Sequence, residues 1–306
     1  MSKTGYLGRG GVEMEYVILG AGAAGITAAK TIRKADSEGK ITVISTDTQV
    51  HSRCMLHKYL SHERDAEGIS FIDPDFFEKN QITWLPGKTV NRLDTQGKKV
   101  YTDQGDEISY DRLLIATGAE SFIPPVGNLR EAENVFGLRH LRDAQAIDAL
   151  AKDAENIVII GSGLVGLDAA YGLMETGKKV SIVEMADQIL PVQLDKTAAS
   201  EYQKRFEKAG AVFYLGRKAA DTIMGEDKII REIILDNGEK LPCDLIIVAA
   251  GVRSAVAGME GEGIVIDRGI KVDDYLQTGA EGIYAAGDVT GLSGIWPNAQ
   301  KQGETA

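Results

Sequence analysis

Three glycines, Gly20, Gly22 and Gly25, carry the first chemical signal in the sequence. They follow a run of apolar residues suited to a buried parallel strand, and an alanine-rich helical segment follows over 26–34. The first glycine permits a tight turn, the second lets the backbone approach a pyrophosphate, and the third allows the helix to pack on the strand. Since a helix N-terminus also attracts anions, this stretch predicts a cradle for a dinucleotide.

The same pattern returns near the middle of the chain as Gly161, Gly163 and Gly166, again behind a largely apolar run. One copy of this motif is weak evidence, but two copies indicate two dinucleotide sites. Each copy is also closed by a later apolar strand that ends in glycine, at Gly118 and Gly251. The sequence therefore has the form of an internal duplication.

Glu184 predicts which nucleotide the second cradle binds. It ends the apolar strand that follows this cradle, where an acidic side chain accepts hydrogen bonds from ribose hydroxyls and repels a 2′-phosphate. We expect NADH to be favoured over NADPH. After the first cradle the corresponding strand, 40–44, is followed by Thr46 and Asp47, either of which suits the adenosine ribose there.

A loop that runs into a helix over 50–60 holds Arg53, Cys54 and Lys58. Taken alone, Cys54 is expected to be a small packing residue, because buried cysteines are usually inert. The two neighbouring cations would lower the pKa of the thiol if they lie close to it. A reactive thiol therefore stays an alternative.

Composition bounds the class of protein. A chain of 306 residues that is 43% hydrophobic favours two domains, and a net charge of −11 argues against nucleic-acid binding. Two cysteines supply no disulfide framework, and the histidines near the loop, His51, His57 and His62, lack metal-ligand spacing, so no metal is expected.

No apolar run approaches the ~20 residues that span a bilayer, and no signal peptide is visible. We expect a cytoplasmic protein without membrane contact. Residues 1–13 are polar and glycine-rich, and are expected to be a leader, an expression scar or a misplaced start.

Between the motifs, short strands over 90–110 and over 229–241 predict two small antiparallel excursions. Pro124 and Pro125 suit a linker, and 138–150 reads as a helix. Near the end, an apolar strand runs into Gly287 and Asp288, which places a carboxylate at the carboxyl edge of a sheet, and Pro297 follows at a predicted helix start.

With these motifs in this order, residues 14–306 resemble the FAD-dependent pyridine nucleotide-disulfide oxidoreductase family, nearest to its rubredoxin reductase, ferredoxin reductase and nitrite reductase types. The resemblance implies an α/β, glutathione-reductase-like fold with two Rossmann-like dinucleotide-binding domains, each a parallel sheet with helices and an antiparallel excursion. It implies an FAD-binding domain over 14–122 and 247–306 and an NADH-binding domain over 123–246. Family members continue into a C-terminal interface domain, so this chain is expected to be a truncated or divergent form.

The resemblance also assigns cofactor contacts. The residues expected to touch FAD are Gly20, Gly22, Gly25, Thr117, Gly118, Gly287 and Asp288, and those expected to touch NADH are Gly161, Gly163, Gly166 and Glu184. The expected cofactor-binding set is completed by Ala23, Ala24, Thr46, Asp47, Arg53, Lys58, Val90, Ala116, Leu164, Val165 and Gly251.

The loop at 53–58 is similar to an Arg-Pro-x-Leu-Ser-Lys stretch of the ferredoxin-reductase-like members, whose lysine pairs with a glutamate two residues after the second cradle's last glycine. Here that residue is Asp168, which predicts a buried Lys58–Asp168 ion pair that gates or orients the flavin site. The loop also resembles the Ser-Phe-x-x-Cys stretch of coenzyme A-disulfide reductases and NADH oxidases, whose cysteine aligns with Cys54. Lys58, Asp168 and Cys54 are the predicted catalytic residues.

The implied activity is hydride transfer from NADH to FAD, followed by electron transfer to a rubredoxin- or ferredoxin-like iron protein. One alternative is a coenzyme A-disulfide or persulfide reductase, or an NADH oxidase, that uses Cys54 on a small substrate. Another is a nucleotide-binding subunit without turnover. A homodimer is a further expectation.

Overall fold

The structure is a computed structural model that describes residues 13–306. The predicted leader, 1–13, lies almost entirely outside the described residues. The chain forms two compact units. The first unit comprises the chain through Thr48, Ile72–Ala119 and Ser254–Ala306, and the second comprises Gln49–Phe71 and Glu120–Arg253.

The strands in chain order are β1 (Glu15–Leu19), β2 (Lys40–Ser45), β3 (Ile82–Pro86), β4 (Val90–Asp94), β5 (Lys99–Thr102), β6 (Glu107–Ser109), β7 (Arg112–Ile115), β8 (Ala119–Ser121), β9 (Val135–Phe136), β10 (Asn156–Ile160), β11 (Lys179–Glu184), β12 (Val212–Leu215), β13 (Ala219–Met224), β14 (Ile230–Leu235), β15 (Lys240–Pro242), β16 (Leu245–Val248), β17 (Val252–Ser254) and β18 (Ile283–Ala285). The helices are α1 (Ala23–Ala35), α2 (Leu56–Leu60), α3 (Phe76–Lys79), α4 (Leu141–Ala151), α5 (Leu164–Glu175), α6 (Lys196–Lys208) and α7 (Trp296–Thr305), with 3₁₀ turns at Arg53–Met55 and Asp288–Thr290.

The first unit is built on a five-stranded parallel sheet in the order β18-β7-β1-β2-β3. In the central strand β1, Val17, Ile18 and Leu19 are buried, as expected where both faces of a parallel sheet are covered. The antiparallel sheet β4-β5-β6 contributes Val90, Leu93 and Val100 to the same core. The predicted excursion over 90–110 is therefore present.

The second unit repeats this plan with the parallel order β12-β11-β10-β16-β9 and the antiparallel sheet β13-β14-β15. Its central strand is β10, in which Ile157, Val158 and Ile159 are buried. A further two-stranded sheet pairs β8 with β17. The predicted α/β fold with two Rossmann-like sheets is confirmed.

Three helices begin at residues other than those expected from the sequence. The helices predicted from 26 and 167 begin earlier, at Ala23 and Leu164, because the last glycine of each cradle already lies in the first helical turn. The helix predicted from 138 begins at Leu141, where the Asp143 carboxylate accepts a hydrogen bond from the His140 N–H at 2.9 Å.

The segment 49–71 groups with the second unit, which differs from the domain boundary drawn from the sequence. Its helix α2 buries Leu56 and Leu60 in the second unit's core beside Leu173 of α5. Gly172 of α5 permits this close packing, because a Cβ there would lie 2.7 Å from the His57 carbonyl oxygen.

Across residues 13–306, every helix is too short or too polar to traverse a lipid bilayer.

Candidate functional site

The first cradle lies at the carboxyl end of β1. Gly20 has a φ of +108°, and a Cβ on it would lie 2.2 Å from the Ala116 carbonyl oxygen. A Cβ on Gly25 would lie 2.0 Å from the Gly20 carbonyl oxygen, so packing requires both glycines. A Cβ on Gly22 would meet nothing within 4 Å, which leaves its backbone open to an approaching ligand.

Two later motifs meet this cradle in the first unit. Ala116 directly precedes Thr117, whose hydroxyl donates to a backbone carbonyl at 2.6 Å. Gly287 approaches α1 so closely that a Cβ would lie 3.2 Å from the Ala24 Cβ, and Asp288 beside it is buried. The predicted FAD-contacting motifs of the first unit are therefore brought together at one sheet edge.

Sequence reasoning missed Gln302, which supports this edge from α7. Its Oε1 atom accepts a hydrogen bond from the Gly287 N–H at 2.6 Å. Gly303 beside it permits the approach, because a Cβ there would lie 2.2 Å from the Ala24 carbonyl oxygen. The fifteen-residue separation between Gln302 and Gly287 gave no local signal.

The remaining predicted cofactor contacts of the first unit differ in burial. Val90 is buried in the core at the start of β4, whereas Thr46 is exposed and Asp47 half-buried just beyond β2. Ser45 ends β2, and its hydroxyl donates to the Asp47 carbonyl oxygen at 2.7 Å. The ends of the strands thus place Thr46 and Asp47, but not the Val90 side chain, near solvent.

The second cradle repeats the first. Gly161 has a φ of +107°, and a Cβ would lie 2.5 Å from the Ala249 carbonyl oxygen. A Cβ on Gly166 would lie 2.0 Å from the Gly161 carbonyl oxygen, whereas a Cβ on Gly163 would meet nothing within 4 Å. Beside this opening the side chains of Leu164 and Val165 are exposed, and Gly251 is also exposed, with a φ of +102°.

Glu184 ends β11 next to this cradle and is held by three donors. Its Oε2 atom accepts from the Ser162 N–H at 2.8 Å and from the Ser162 hydroxyl at 2.9 Å. Its Oε1 atom accepts from the Ala186 N–H at 2.8 Å. Sequence reasoning singled out the carboxylate but not the serine that holds it.

The predicted Lys58–Asp168 ion pair is wrong for this structure. Lys58 Nζ donates instead to Glu63 Oε2 at 2.5 Å, and its side chain also lies over the ring of Tyr171. The tight turn after α2, in which the Arg64 N–H donates to the Lys58 carbonyl at 3.0 Å, returns Glu63 toward the lysine. The short Asp168 side chain lies on a different helix and is half-exposed rather than buried.

Asp168 instead faces His57, with 3.9 Å between Oδ2 and Nδ1. The imidazole also makes an edge contact with the ring of Tyr171. The part of Asp168 that is shielded from water raises the pKa of its carboxyl, and the charge of His57 opposes this effect. The hydrogen bond between Lys58 and Glu63 lowers the pKa of the Glu63 carboxyl and raises the pKa of the Lys58 ammonium group.

The other two histidines of this region have separate partners. His51 Nε2 accepts from the Leu141 N–H at 3.2 Å, and its Nδ1 lies 3.1 Å from the Gln49 carbonyl oxygen. His62 Nε2 lies 2.6 Å from an Asp148 carboxylate oxygen.

The two cysteines differ in exposure. Cys54 is exposed, so the expectation that it packs in a core is wrong, because the 3₁₀ turn over 53–55 turns it toward solvent. Cys243 is buried, and burial raises the pKa of its thiol to about 12. Arg53 is half-buried in the same turn as Cys54.

Known proteins place these features in context. The chain is 34% identical over 283 residues to the nitrite reductase [NAD(P)H] of Bacillus subtilis, a match that covers 92% of this chain and 35% of the relative. It therefore spans about a third of the length of this relative. The chain also matches a second Bacillus subtilis protein, the assimilatory nitrate reductase electron transfer subunit, and covers 36% of its length.

Solved structures agree with the fold. An NAD-dependent persulfide reductase from A. fulgidus superposes with a TM-score of 0.87 at 30% identity, covering 95% of this chain and 58% of that one. A ferredoxin reductase from Rhodopseudomonas palustris superposes with a TM-score of 0.87 at 27% identity, covering 95% and 74%. Residues 14–303 match the profile of one family, and the chain belongs to it: the pyridine nucleotide-disulphide oxidoreductases.

Proposed function

We propose that this chain is an FAD-dependent NADH reductase in which the first unit binds FAD and the second binds NADH. The observation that carries this proposal is the repeated cradle, whose middle glycine is open in both units, at Gly22 and Gly163. Members of the family use FAD and NADH. Only the second cradle has a strand-end carboxylate, which suits the unmodified ribose of NADH.

The residues fit the two cofactors. A pyrophosphate needs close backbone approach and free N–H groups at a helix start, which both cradles offer at the first turns of α1 and α5. At the first cradle the buried Asp288 suits the polyol of FAD, because a carboxylate accepts hydrogen bonds from hydroxyls.

Bound FAD would supply the redox chemistry, by accepting a hydride from NADH and releasing the electrons one at a time. The chain's residues bind and orient the two nucleotides, and Glu184 selects the one without a 2′-phosphate. Orientation of this kind lowers the barrier without a catalytic acid. A set of cradles rather than a catalytic triad is consistent with such chemistry.

For the acceptor we propose an iron protein of the rubredoxin or ferredoxin type. The similarity to a ferredoxin reductase supports this assignment. We also propose a cytoplasmic location and a homodimer, which rest on the family resemblance alone.

The test is an anaerobic titration of the FAD-loaded protein with NADH, followed by the flavin spectrum. We expect bleaching with uptake of about two electrons per FAD, the capacity of the flavin alone. A correctly bound flavin that NADH does not bleach would overturn the proposal and leave a nucleotide-binding subunit without turnover.

A second candidate function uses Cys54 as a redox thiol. The exposure of the Cys54 side chain favours this function. The similarity to a persulfide reductase points the same way. In this reaction the Cys54 thiolate would attack one sulfur of a disulfide RSSR or a persulfide RSSH, form the mixed disulfide Cys54–S–S–R, and release RS⁻ or HS⁻ as the old S–S bond breaks. Two electrons from NADH, with two protons, would then cleave the mixed disulfide to the Cys54 thiol and RSH. Uptake near four electrons per FAD in the titration would support this function.

The matched pair Cys54→Ser and Cys243→Ala separates the two functions. If Cys54 is the redox thiol, its serine variant loses turnover with a disulfide or persulfide while the Cys243 variant keeps it. An electron carrier retains reduction of an iron protein in both variants. Burial raises the pKa of Cys243 to about 12 and shields its thiol, so at pH 8 a thiol reagent should label the exposed Cys54 first.

A further inference from the structure

Ser162 lies between the first two glycines of the second cradle and is fully buried, with 0% of its surface exposed. All of its polar groups bond to the end of β11 and the loop that follows. Its N–H and hydroxyl donate to Glu184 Oε2 at 2.8 and 2.9 Å, and its carbonyl accepts from the Leu190 N–H at 3.0 Å. Leu190 is held there at a φ of +47°, in the left-handed region.

These bonds leave a defined part of the carboxylate for a ligand. A carboxylate offers about four acceptor sites, two on each oxygen. Oε2 of Glu184 already receives two donors from Ser162, and Oε1 receives one from Ala186. The remaining acceptor site is on Oε1. Because both oxygens are held, the carboxylate does not rotate freely about its terminal bond.

The first cradle provides an internal comparison. In β1 and β2 Leu19 pairs with Ile44, and in β10 and β11 Ile160 pairs with Val183, so the two pairs occupy the same register. One residue further along, Glu184 corresponds to Ser45. Ser162 likewise corresponds to Ala21, because each directly follows the first glycine of its cradle.

The two differences occur together. The second cradle has both the Glu184 carboxylate and the Ser162 hydroxyl that holds it. The first cradle lacks the carboxylate and has Ala21 in place of the serine, and alanine offers no donor side chain. In the first unit the Ser45 hydroxyl instead donates to the Asp47 carbonyl oxygen. The Ser162 hydroxyl is thus matched to the presence of Glu184 rather than to the glycine motif itself.

We propose that Ser162 is a positioning residue that fixes Glu184 for the adenosine ribose of NADH and thereby sets the preference for NADH over NADPH. This inference rests on the proposed function in that the second cradle binds NADH. A fixed carboxylate keeps its Oε1 site aligned with a ribose hydroxyl. It also keeps its negative charge close to a 2′-phosphate and repels it, whereas a mobile carboxylate would rotate away and lessen the repulsion.

The test is equilibrium binding of adenosine fragments to the FAD-loaded protein by calorimetry, which needs no turnover. The probes are 5′-AMP, with a free ribose 2′-hydroxyl, and 2′,5′-ADP, with a 2′-phosphate. Wild type should prefer 5′-AMP. In Ser162→Ala, loss of one charge-assisted hydrogen bond should weaken 5′-AMP binding about tenfold and leave 2′,5′-ADP unchanged or tighter.

A double-mutant cycle with Glu184→Ala distinguishes positioning from a general effect on the cradle. If Ser162 acts through the carboxylate, Ser162→Ala changes neither Kd once Glu184 is absent. Ser162→Gly, which also lacks the hydroxyl, should reproduce the Ser162→Ala result, and this second variant keeps the test valid if one protein folds poorly.

An unchanged preference in Ser162→Ala, or equal losses with and without Glu184, would overturn the inference while the proposed function stands. Failure of the wild type to bind NAD⁺ and both fragments would overturn the proposed function, and the inference with it.

Discussion

The Nδ1 atom of His57 lies 3.9 Å from the Oδ2 atom of Asp168, at the contact between α2 and α5. The distance is too long for a hydrogen bond, and burial raises the pKa of the carboxyl above its usual 3.8. The ionised form of Asp168 is therefore less stable in the folded protein than in the unfolded chain. A charge retained in this position costs stability.

We expect Asp168→Asn to raise the Tm at pH 7.5, by no more than about 2 °C because half-exposed charges interact weakly. The folded-state pKa is raised, so the cost is present once the pH exceeds that value and disappears below 3.8, where both states are protonated. The advantage of the variant should shrink as the pH falls toward 4.

Thermal unfolding from pH 4.5 to 7.5 measures this difference, with the exposed Asp153→Asn as the control in the same unit. A lower Tm for Asp168→Asn at pH 7.5 would contradict the prediction, since it would mean that a charged His57 makes the pair net favourable.

We expect alanine substitutions at two glycines of the second cradle to have different effects, one on NAD⁺ binding and the other on stability. In Gly163→Ala the methyl group enters open space, so the fold should keep its stability while NAD⁺ binding weakens at least about tenfold. In Gly166→Ala the methyl group meets the Gly161 carbonyl, so the free energy of unfolding should fall by about 1–3 kcal/mol.

Denaturant unfolding and NAD⁺ calorimetry on both variants make the comparison. FAD retention serves as the control, because the first cradle lies in the other unit. The interpretation fails if Gly163→Ala binds NAD⁺ like the wild type.

The cradles were predictable because each is a local pattern. Apolar strand, glycine spacing and helix lie within about twenty residues, and Glu184 follows from the end of the next strand. By contrast, α6 was not predicted, since its residues are mostly polar and only Ala199 is buried. The very short β9 gave no pattern of its own.

Pairings between distant side chains were beyond the sequence. The partner of Lys58 depends on the turn that returns Glu63, and the support for Glu184 comes from Ser162, 22 residues earlier. The exposure of Cys54 likewise follows from a 3₁₀ turn rather than from the residue type. Motifs set which cofactors to expect, whereas folding decides which side chains hold the motifs in place.

Asn134 is a fully buried amide in the second unit, with 0% exposure. Its Nδ2 donates to the carbonyls of Ile230 and Asp244 at 2.9 and 3.0 Å, and its Oδ1 accepts from the Ile230 N–H at 3.0 Å. Asn134→Ala would leave the Ile230 N–H and the Asp244 carbonyl without this partner, and the Ile230 carbonyl with only the weak donor Cys243 Sγ at 3.7 Å. The free energy of unfolding should therefore fall by about 2–3 kcal/mol.

Denaturant unfolding measures the change, and the exposed Asn156→Ala, whose side chain makes one long bond at 3.3 Å, should cost less than about 0.5 kcal/mol. Equal losses in the two variants would show that the buried amide has no special role.

Gln302 should control how firmly the first unit retains FAD. Its Oε1 atom holds the N–H of Gly287, a residue with a φ of +83°, directly before the buried Asp288. In Gln302→Ala the N–H loses its acceptor, and the turn that presents Asp288 is free to relax. We expect the Kd of the apoprotein for FAD to rise about tenfold, as for one lost hydrogen bond to a positioned group.

Lys301→Ala on the same helix is the matched control, because Lys301 is exposed and its side chain lies 4.0 Å from Glu304. Fluorescence titration of both apoproteins with FAD measures the effect, and NAD⁺ binding to the second unit should not change. Because the Gln302 bond acts on the backbone, Gln302→Glu should retain the acceptor and recover most of the affinity. If Gln302→Ala binds FAD as tightly as Lys301→Ala, the edge at Gly287 is held by its backbone alone, and the glutamine has only a packing role in α7.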